Sequence, residues 1–529
     1  MCSMNVDAAT LPNDIFELKS LFVDTQKNYE TEIKILKEQI NLLQHKLFGR
    51  KSEKLSGNVG SGQLLLFNEV EQVDESEADV EKNKIKVPAH TRDRGSRKFL
   101  PDGLPRIDII HDLTEEEKQC LCGEIKSQIG EETSEQLEYI PAVLQVYRNI
   151  RLKYVCKKCE GVEADEPAVS IAQMPEQILP KSIATAGLLA QIITAKYVDA
   201  LPLYRQEKMF KRLGVELKRQ TMASWIIKVA QKCMLMVNMM CWEIRSGPFL
   251  QIDETGVQVL NEPGREATTK SYMWVFRGGE PENPSLVYQY HPTRSAVVPM
   301  AFLEDYEGYV QTDGYAGYDF LDEQPEVKHL GCWAHVRRKF MDAIKARGKT
   351  KKNKKKKGRA DEALDYIGKL YGIEQSARDL QLSYEQIKQL RQIKAKPILD
   401  EFGEWLEEQV LKTPPSGLLG TAITYALGQW NRLTVYIEDG RLKPDNNLAE
   451  NAIRPFVVGR KNWLFSATPD GAHASAALYS LIETAKANNL EPYWYLRYLL
   501  ERLPAAKTEA DHKSLLPQYA DRTKIGPSA

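Results

Sequence analysis

The 529-residue sequence has no long apolar run, no excess of basic charge and no apolar leader at its start. A bilayer-spanning helix needs ~18–20 consecutive apolar residues, so we expect no membrane segment. Lysine and arginine total 72 against 73 acidic residues, a net charge of −1. Any contact with nucleic acid must therefore come from local basic patches. The first residues lack the basic and apolar regions of a signal peptide, so we expect a cytoplasmic protein.

Cysteine is also scarce, with eight residues, but four of them fall in two close pairs. In the cytoplasm such residues are expected to be thiols or metal ligands rather than disulfides. Cys120 and Cys122 are followed, after 33 residues, by Cys156 and Cys159. This pattern predicts one structural zinc ion held by four thiolates. The alternative is four unrelated buried cysteines.

Residues 13–55 predict a long helix with an apolar seam. Apolar side chains recur at heptad spacing at Ile15, Phe22, Tyr29, Ile33, Leu36, Ile40, Leu43 and Leu47. The seam favours a coiled-coil dimer, and an amphipathic helix packed on its own domain fits equally well. Residues 56–112 predict a linker, and the basic stretch at 92–106 within it is either solvated or an arm for a minor groove.

Residues 178–245 predict a helical segment with a helix-turn-helix pattern. A helix at 203–213 ends at Gly214, and a second helix begins near residue 220. The candidate DNA contacts around this turn are Lys208, Arg212, Lys218, Arg219, Gln220, Thr221 and Ser224. The basic side chains would bind phosphates, and the polar ones would meet base edges. An ordinary helical hairpin with a solvated charged face gives the same pattern.

From residue 247 the sequence predicts three strands, a helix, a strand, a helix, a strand and a helix. This is the order of a ribonuclease-H-like mixed sheet. Eight of the eleven residues at 349–359 are lysine or arginine, which predicts a basic loop that touches phosphate or is only a solvated spacer. Apolar residues at helical spacing predict an all-helical insertion at 346–440 and a further helical region at 471–515.

Three acidic residues stand out by their context. Asp253 lies within the first predicted strand, and Asp313 follows the fourth. Charged side chains there are costly unless something binds them, and two neighbouring carboxylates repel unless a cation lies between. Glu450 would begin a helix capped by Asn446 or Asn447, with Arg454 one turn further on and Lys461 eleven residues after the glutamate. Arg454 and Lys461 are further catalytic candidates, because a carboxylate with an adjacent Arg and Lys suits a site that holds metal ions and a scissile phosphate together. Hard Mg²⁺ fits such oxygen ligands.

Other acidic residues and one histidine are less favoured. We expect Glu254 to point to the opposite face of the strand from Asp253. Asp319, Asp322 and Asp445 are expected to be structural. His335 is expected to pack or cap a helix, because no second histidine lies at ligand spacing.

Several long motifs resemble the insertion-sequence-sixty-six family of DDE transposases. They are Leu47–Leu55, the two cysteine pairs, Leu201–Glu207, Gln251–Thr255, Cys332–Phe340, Asn447–Pro455 and Gly459–Ser466. The resemblance covers about residues 30–510. It implies a leucine-zipper-like start, a zinc module, and a catalytic domain interrupted before its glutamate helix. The 60 and 137 positions from Asp253 to Asp313 and from Asp313 to Glu450 fit such an interruption.

The resemblance implies DNA strand cleavage and transfer at the ends of a mobile element. Asp253 would bridge two Mg²⁺ or Mn²⁺ ions ~3.5–4 Å apart, with Asp313 and Glu450 holding one each. Terminal inverted repeats and target DNA would be the substrates, and a homo-oligomer and accessory proteins of the same element are candidate partners. The alternatives are an inert DNA-binding regulator and a nuclease acting on RNA–DNA hybrids.

The predicted organisation is multidomain. In order, the expected regions are a zipper-like helix at 13–55, a linker at 56–112, a zinc module at 113–165, a helical DNA-binding region at 178–245, a catalytic domain at 247–345 and 441–470, the helical insertion at 346–440, and a helical end at 471–515.

Overall fold

The computed structural model describes residues 14–48, 144–155, 169–171, 174–346 and 357–526. The chain divides into two compact units, of which one is Glu53–Ile150 and the other comprises Met1–Ser52 and Arg151–Ala529. In the first unit the described residues are 144–150, and they carry no helix or strand. All elements below belong to the second unit. Among the described residues, no helix is both long and apolar enough to cross a membrane.

The first helix, α1 (Ile15–Phe48), has the long seam that the heptad pattern predicts. The helix also contacts its own unit: Leu42 is buried, and the Asn41 amide donates to the carbonyl of Ala346 at 3.2 Å. The seam side chains are each at least half exposed, namely Ile15, Phe22, Tyr29, Ile33, Leu36, Ile40 and Leu43. The side chain of Leu47 lies outside the described residues. Packing on its own unit therefore leaves the seam uncovered, and the dimer stays a prediction.

A helical segment precedes the sheet. The short strands β1 (Lys153–Val155) and β2 (Val169–Ile171) pair antiparallel. The helices that follow are α2 (Ala186–Tyr197), α3 (Leu203–Arg212), α4 (Arg219–Lys232) and α5 (Met234–Arg245). Thr185 starts α2 by accepting a hydrogen bond from the Leu188 amide at 3.2 Å. Gly214 has φ of +84°, a conformation that glycine adopts without strain, and it turns the chain between α3 and α4.

A five-stranded mixed sheet forms the centre of this unit. Its strands are β3 (Phe249–Gln258), β4 (Lys270–Glu280), β5 (Asn283–His291), β6 (Gly308–Gln311) and β7 (Val327–Leu330). The spatial order is β5-β4-β3-β6-β7. The first three strands are antiparallel neighbours, whereas β6 pairs parallel with both β3 and β7. The connections are α6 (Val297–Phe302) and a 3-10 helix (Ala316–Glu323), and α7 (Trp333–Ala346) follows β7.

The inserted segment after α7 is helical, as predicted. Its elements are α8 (Arg359–Asp379), α9 (Tyr384–Leu390), a π-helical turn (Arg391–Ala395), α10 (Lys396–Leu411), α11 (Leu418–Gly428), α12 (Trp430–Thr434) and a 3-10 turn (Val435–Glu438). Trp333 and Phe340 of α7 lie in the same hydrophobic core as Phe402 of the inserted segment. A buried ion pair between Arg391 and Glu374, at 2.7 Å, ties its first helix to the π-helical turn.

The chain then returns to the sheet. The closing elements are α13 (Asn447–Trp463), α14 (Pro469–Ala487), α15 (Pro492–Arg502), α16 (Glu509–Leu515) and 3-10 turns at Leu503–Ala505 and Arg522–Lys524. Helix α14 lies on β5, where the Ser480 hydroxyl accepts from the Tyr288 amide at 2.8 Å and the Thr484 hydroxyl from the Leu286 amide at 2.9 Å. These contacts satisfy amides at the sheet edge that would otherwise be open to another strand.

Candidate active site

Two of the predicted acidic residues are brought together by the parallel pairing of β3 and β6. Gln251 lies opposite Gln311 in this register. Asp253 follows Gln251 by two residues on β3, and Asp313 follows Gln311 by two residues, just past the end of β6, so the pairing brings both aspartates to the same end of the paired strands. Asp253 accepts a hydrogen bond from the Glu254 amide at 2.9 Å, and Asp313 accepts one from the Tyr315 amide at 3.0 Å.

A buried amide network lies beneath the two aspartates. The Gln251 side chain donates to Gln311 at 2.7 Å, and Gln311 donates to the backbone carbonyls of Gly331 and Lys443 at 3.1 and 2.9 Å. Both glutamines are fully buried. The network therefore fixes the loop before α13 against β3, β6 and the end of β7.

Glu450 lies in the first turn of α13, and Asn446 fixes the start of that helix. Asn446 occupies the N-cap position, as predicted, but its side chain makes no capping hydrogen bond. The backbone of Asn446, at φ −88° and ψ 18°, is outside the extended range usual for capping residues. Its buried amide instead donates to the carbonyl of Ile252 at 2.8 Å. This bond attaches the glutamate helix directly beside Asp253.

The charges of the three carboxylates are coupled. Burial, and then the charges of Glu254, Glu450 and Asp313, raise the pKa of Asp253 well above its usual value. The pKa of Glu450 is lowered, first by its hydrogen bond with His335 and then by the positive charges of His335, Arg338 and Arg454. One carboxylate is thus kept ionised while another resists ionisation. A bound cation would remove the repulsion that Asp253 experiences.

His335 contacts the carboxylate of Glu450. Its Nε2 lies 3.0 Å from Glu450 Oε1, and Arg338 Nη2 lies 3.6 Å from the other carboxylate oxygen. Both residues project from α7, more than a hundred positions before the glutamate in the chain. The sequence predicted only a packing or capping role for His335, and the contact with Glu450 arises because the fold places the start of α7 against the start of α13. No pattern along the sequence could reveal that proximity.

The neighbouring acids each contact other side chains or backbone of the fold. Glu254 is almost fully buried and pairs with Arg294, whose Nε lies 2.6 Å away, and with the hydroxyl of Tyr318. Asp319 and Asp322 both bind Arg432. Asp445 accepts the Tyr371 hydroxyl at 3.0 Å and the Asn447 amide at 3.2 Å.

Arg454 and Lys461 lie along one face of α13 with Glu450. Arg454 is one turn away, and its charge lowers the pKa of the glutamate. Lys461 is eleven residues away, which at 1.5 Å per residue is about 16 Å along the helix. It is exposed and too distant to act on the glutamate itself. Lys461 is therefore close to Glu450 in the sequence but does not lie close to its carboxylate.

The proposed DNA-contacting residues lie on α3, α4 and the turn between them. All are exposed except Thr221, which is partly buried; the exposed members are Lys208, Arg212, Lys218, Arg219, Gln220 and Ser224. The four cysteines of the predicted zinc site, Cys120, Cys122, Cys156 and Cys159, lie outside the described residues, as does the lysine run up to residue 356.

Four family models match the chain in order. The model described as Transposase IS66 family matches residues 181–474, and the IS66 C-terminal element matches residues 480–518. Residues 35–109 match a model described as Transposase C of IS166 homeodomain. Residues 117–160 match the zinc-finger binding domain of transposase IS66, and this range includes both cysteine pairs.

Curated relatives match over nearly the whole chain. The uncharacterized protein y4jD of Sinorhizobium fredii (strain NBRC 101917 / NGR234) is 29% identical, with 99% of this chain and all of that protein covered. The uncharacterized protein y4qI of the same organism is 28% identical, with 95% of this chain and 92% of that protein covered. The main family model spans more than half of the sequence and includes all three carboxylates. The chain is a multidomain protein with a zinc-finger segment, and it belongs to the IS66 family of transposases.

Proposed function

We propose that this chain cuts and joins DNA as a DDE transposase, with a ribonuclease-H-like sheet that carries Asp253, Asp313 and Glu450. One observation supports this most strongly. The β3–β6 pairing brings Asp253 and Asp313 to the same end of the paired strands, and the charges of Glu450 and Asp313 both raise the pKa of Asp253. These three residues come from segments 60 and 137 positions apart, so their convergence is a product of the fold.

The donor set fits hard divalent cations. Three carboxylates supply oxygen ligands, which Mg²⁺ and Mn²⁺ prefer. Burial is the main cause of the raised pKa of Asp253, and the charges of Glu254, Glu450 and Asp313 add to it; a bound cation would offset both the burial cost and this repulsion. Two such ions, when bound, would supply the charge that activates a water molecule or a 3′-hydroxyl and stabilises the leaving oxygen.

The residues around the carboxylates would orient them and the DNA. The Gln251–Gln311 network and the side-chain amide of Asn446 hold β3, the end of β6 and the start of α13 together. Arg454 and Lys461 follow one face of α13, so they would contact successive DNA phosphates on the glutamate side of the site.

We assign recognition of the element ends to the exposed surface of α3 and α4. Lys208, Arg212, Lys218 and Arg219 would fix the register on the DNA backbone, and Gln220, Thr221 and Ser224 would reach base edges. Replacing Gln220 and Ser224 together with alanine should narrow the affinity difference between terminal-repeat DNA and random DNA. Binding competition at one salt concentration measures this, and an unchanged difference would place recognition elsewhere.

The remaining segments would serve assembly. The exposed α1 seam would pair two chains, so that two element ends are cut in one complex. Cys120, Cys122, Cys156 and Cys159 would hold one structural zinc ion, because four protein ligands fill its tetrahedral shell. The proposed boundaries of the regions are those predicted from the sequence.

A catalytically inert DNA-binding regulator is the main alternative. It would share the fold and the basic surface but not need three coupled carboxylates. A magnesium-dependent nicking assay on the element's own terminal DNA separates the two functions.

The decisive variants in that assay are Asp253→Asn and Asp400→Asn. Asp400 is an exposed aspartate on α10 that pairs with Lys396, so it is a matched surface control. We expect Asp253→Asn to lower cleavage at least a thousandfold while DNA binding is retained, and Asp400→Asn to cleave normally. Full cleavage by Asp253→Asn would exclude the proposed site.

A further inference from the structure

A second group of metal-binding side chains touches the proposed active site. A sulfur of Cys332, an imidazole nitrogen of His335 and a carboxylate oxygen of Glu450 all lie within 4.8 Å of one another. Cys332 immediately precedes α7, His335 lies in its first turn, and Glu450 lies in the first turn of α13. The group therefore forms where the starts of two helices meet.

The environment of Cys332 differs from that of another buried cysteine. The Cys332 sulfur accepts a hydrogen bond from the backbone N–H of Asn446 at 3.2 Å, and the backbone N–H of His335, which donates to the Cys332 carbonyl at 3.2 Å, also lies near the sulfur. Such donors stabilise negative charge on sulfur, the form in which cysteine binds a metal. Burial, and the charges of Glu450 and Asp445, nevertheless raise the pKa of Cys332 to about 12, as burial raises the pKa of the equally buried Cys233. A metal ion would have to displace the thiol proton of Cys332, and the N–H of Asn446 would then face the thiolate.

The donor atoms select a class of metal. Sulfur, imidazole nitrogen and one carboxylate oxygen suit Zn²⁺, which often keeps three protein ligands and leaves a fourth position for water. Mg²⁺ prefers oxygen ligands and would not choose the thiol and imidazole. Only Glu450 belongs to both donor sets.

We propose that Cys332, His335 and Glu450 form a regulatory Zn²⁺ site, separate from the zinc finger, that withholds Glu450 from the catalytic cations. The His335 nitrogen and the Glu450 oxygen that now share a hydrogen bond at 3.0 Å would both turn to the zinc ion. The Asp253–Asp313 pair would then lack its third carboxylate. The regulatory part of this proposal rests on the proposed function, because it requires Glu450 to serve in cleavage.

Binding is tested without DNA, by titrating the purified full-length protein, with its finger zinc in place, with Co²⁺. The wild type should bind one equivalent of Co²⁺ beyond the finger zinc, and the bound cobalt should give a thiolate-to-cobalt absorption band. Cys332→Ser and His335→Gln should each bind that equivalent at least tenfold more weakly, whereas Cys233→Ser, the matched buried thiol, should bind it normally. Circular dichroism and the urea midpoint check that each variant is folded. No new band in the wild type, or an equal band in Cys332→Ser, would overturn the site.

Regulation is tested by cleavage of terminal DNA. Zn²⁺ should inhibit the wild type and the Cys233→Ser variant, and the concentration for half inhibition should rise in proportion to added Mg²⁺. Cys332→Ser should need at least tenfold more zinc, after each protein is normalised to its own zinc-free rate. Equal inhibition of all three would refute the regulatory role. If no protein cleaves DNA, the proposed function fails while the cobalt titration still decides the site.

Discussion

Acid should destabilise the protein through His329, a buried histidine at the base of the active site. Its side chain is 2% exposed, its Nε2 lies 2.8 Å from the Thr312 hydroxyl and its Nδ1 lies 2.9 Å from Asp322. Thr312 directly precedes Asp313 in the chain. Burial, and then the charge of Arg432, lower the pKa of His329 from 6.5 to about 4.

The sign and size of the effect follow from this pKa. Between about pH 6.5 and pH 4 the unfolded chain binds a proton at residue 329 that the folded chain does not. The free energy of unfolding therefore falls as the pH is lowered through this window, and the loss is complete below about pH 4. At ~1.4 kcal/mol per pKa unit, the loss is about 3 kcal/mol.

Urea unfolding followed by tryptophan fluorescence at pH 7, 6, 5 and 4 measures this loss. His329→Asn removes the titrating group, so the wild type should lose about 3 kcal/mol relative to that variant across the window. His512→Asn, at an imidazole that is not buried, is the control and should follow the wild type. The reasoning is refuted if wild type and His329→Asn lose stability in parallel.

Three further predictions concern stability and DNA affinity. Arg391→Ala should lower the free energy of unfolding by about 3–5 kcal/mol, because it leaves the buried carboxylate of Glu374 without its partner. Lys396→Ala, which breaks an exposed ion pair, should change the free energy of unfolding by under ~1 kcal/mol. Urea unfolding compares the two variants. Gly440→Ala should cost about 1–3 kcal/mol, since its new methyl group would collide with backbone, whereas Gly428→Ala has open space around it and should not destabilise. Equal urea midpoints for the two glycine variants would contradict this. Deleting residues 349–359 should weaken binding to all DNA sequences alike. It should also reduce the slope of log binding constant against log salt concentration by ~0.9 for each DNA phosphate that the run neutralises. An unchanged slope would make the run a spacer.

The strands and helices were predictable where local periodicity was strong. All five strands of the sheet were anticipated within a few residues, because alternating β-rich runs are separated by Gly, Pro and Asn turns. The two helices on either side of Gly214 were also anticipated, since this glycine marks the turn between them. Asp253 and Asp313 stood out because a charge within or directly after a strand needs a reason.

The contacts around Glu450 could not be predicted in the same way. His335 has no sequence neighbour that signals a shared site, and its contact with the glutamate depends on the docking of two distant helices. Asn446 does occupy the predicted N-cap position of α13, yet its side-chain amide donates to the β3 backbone instead of making a capping hydrogen bond. Long-range packing overrides local preference at both residues. Lys461 shows the opposite case, because eleven residues of an α-helix correspond to about 16 Å along its axis.

The central claim is that Asp253, Asp313 and Glu450 together hold the divalent cations, and localised backbone cleavage tests it most directly. Fe²⁺ is added to the full-length protein in place of Mg²⁺, and ascorbate and peroxide then generate hydroxyl radicals that cut the polypeptide near the bound iron. We predict cuts close to residues 253, 313 and 450, detected by mass spectrometry, suppressed by excess Mg²⁺ and lost in Asp253→Asn but not in Asp400→Asn. Cuts that avoid these three segments, or that persist unchanged in Asp253→Asn, would contradict the account.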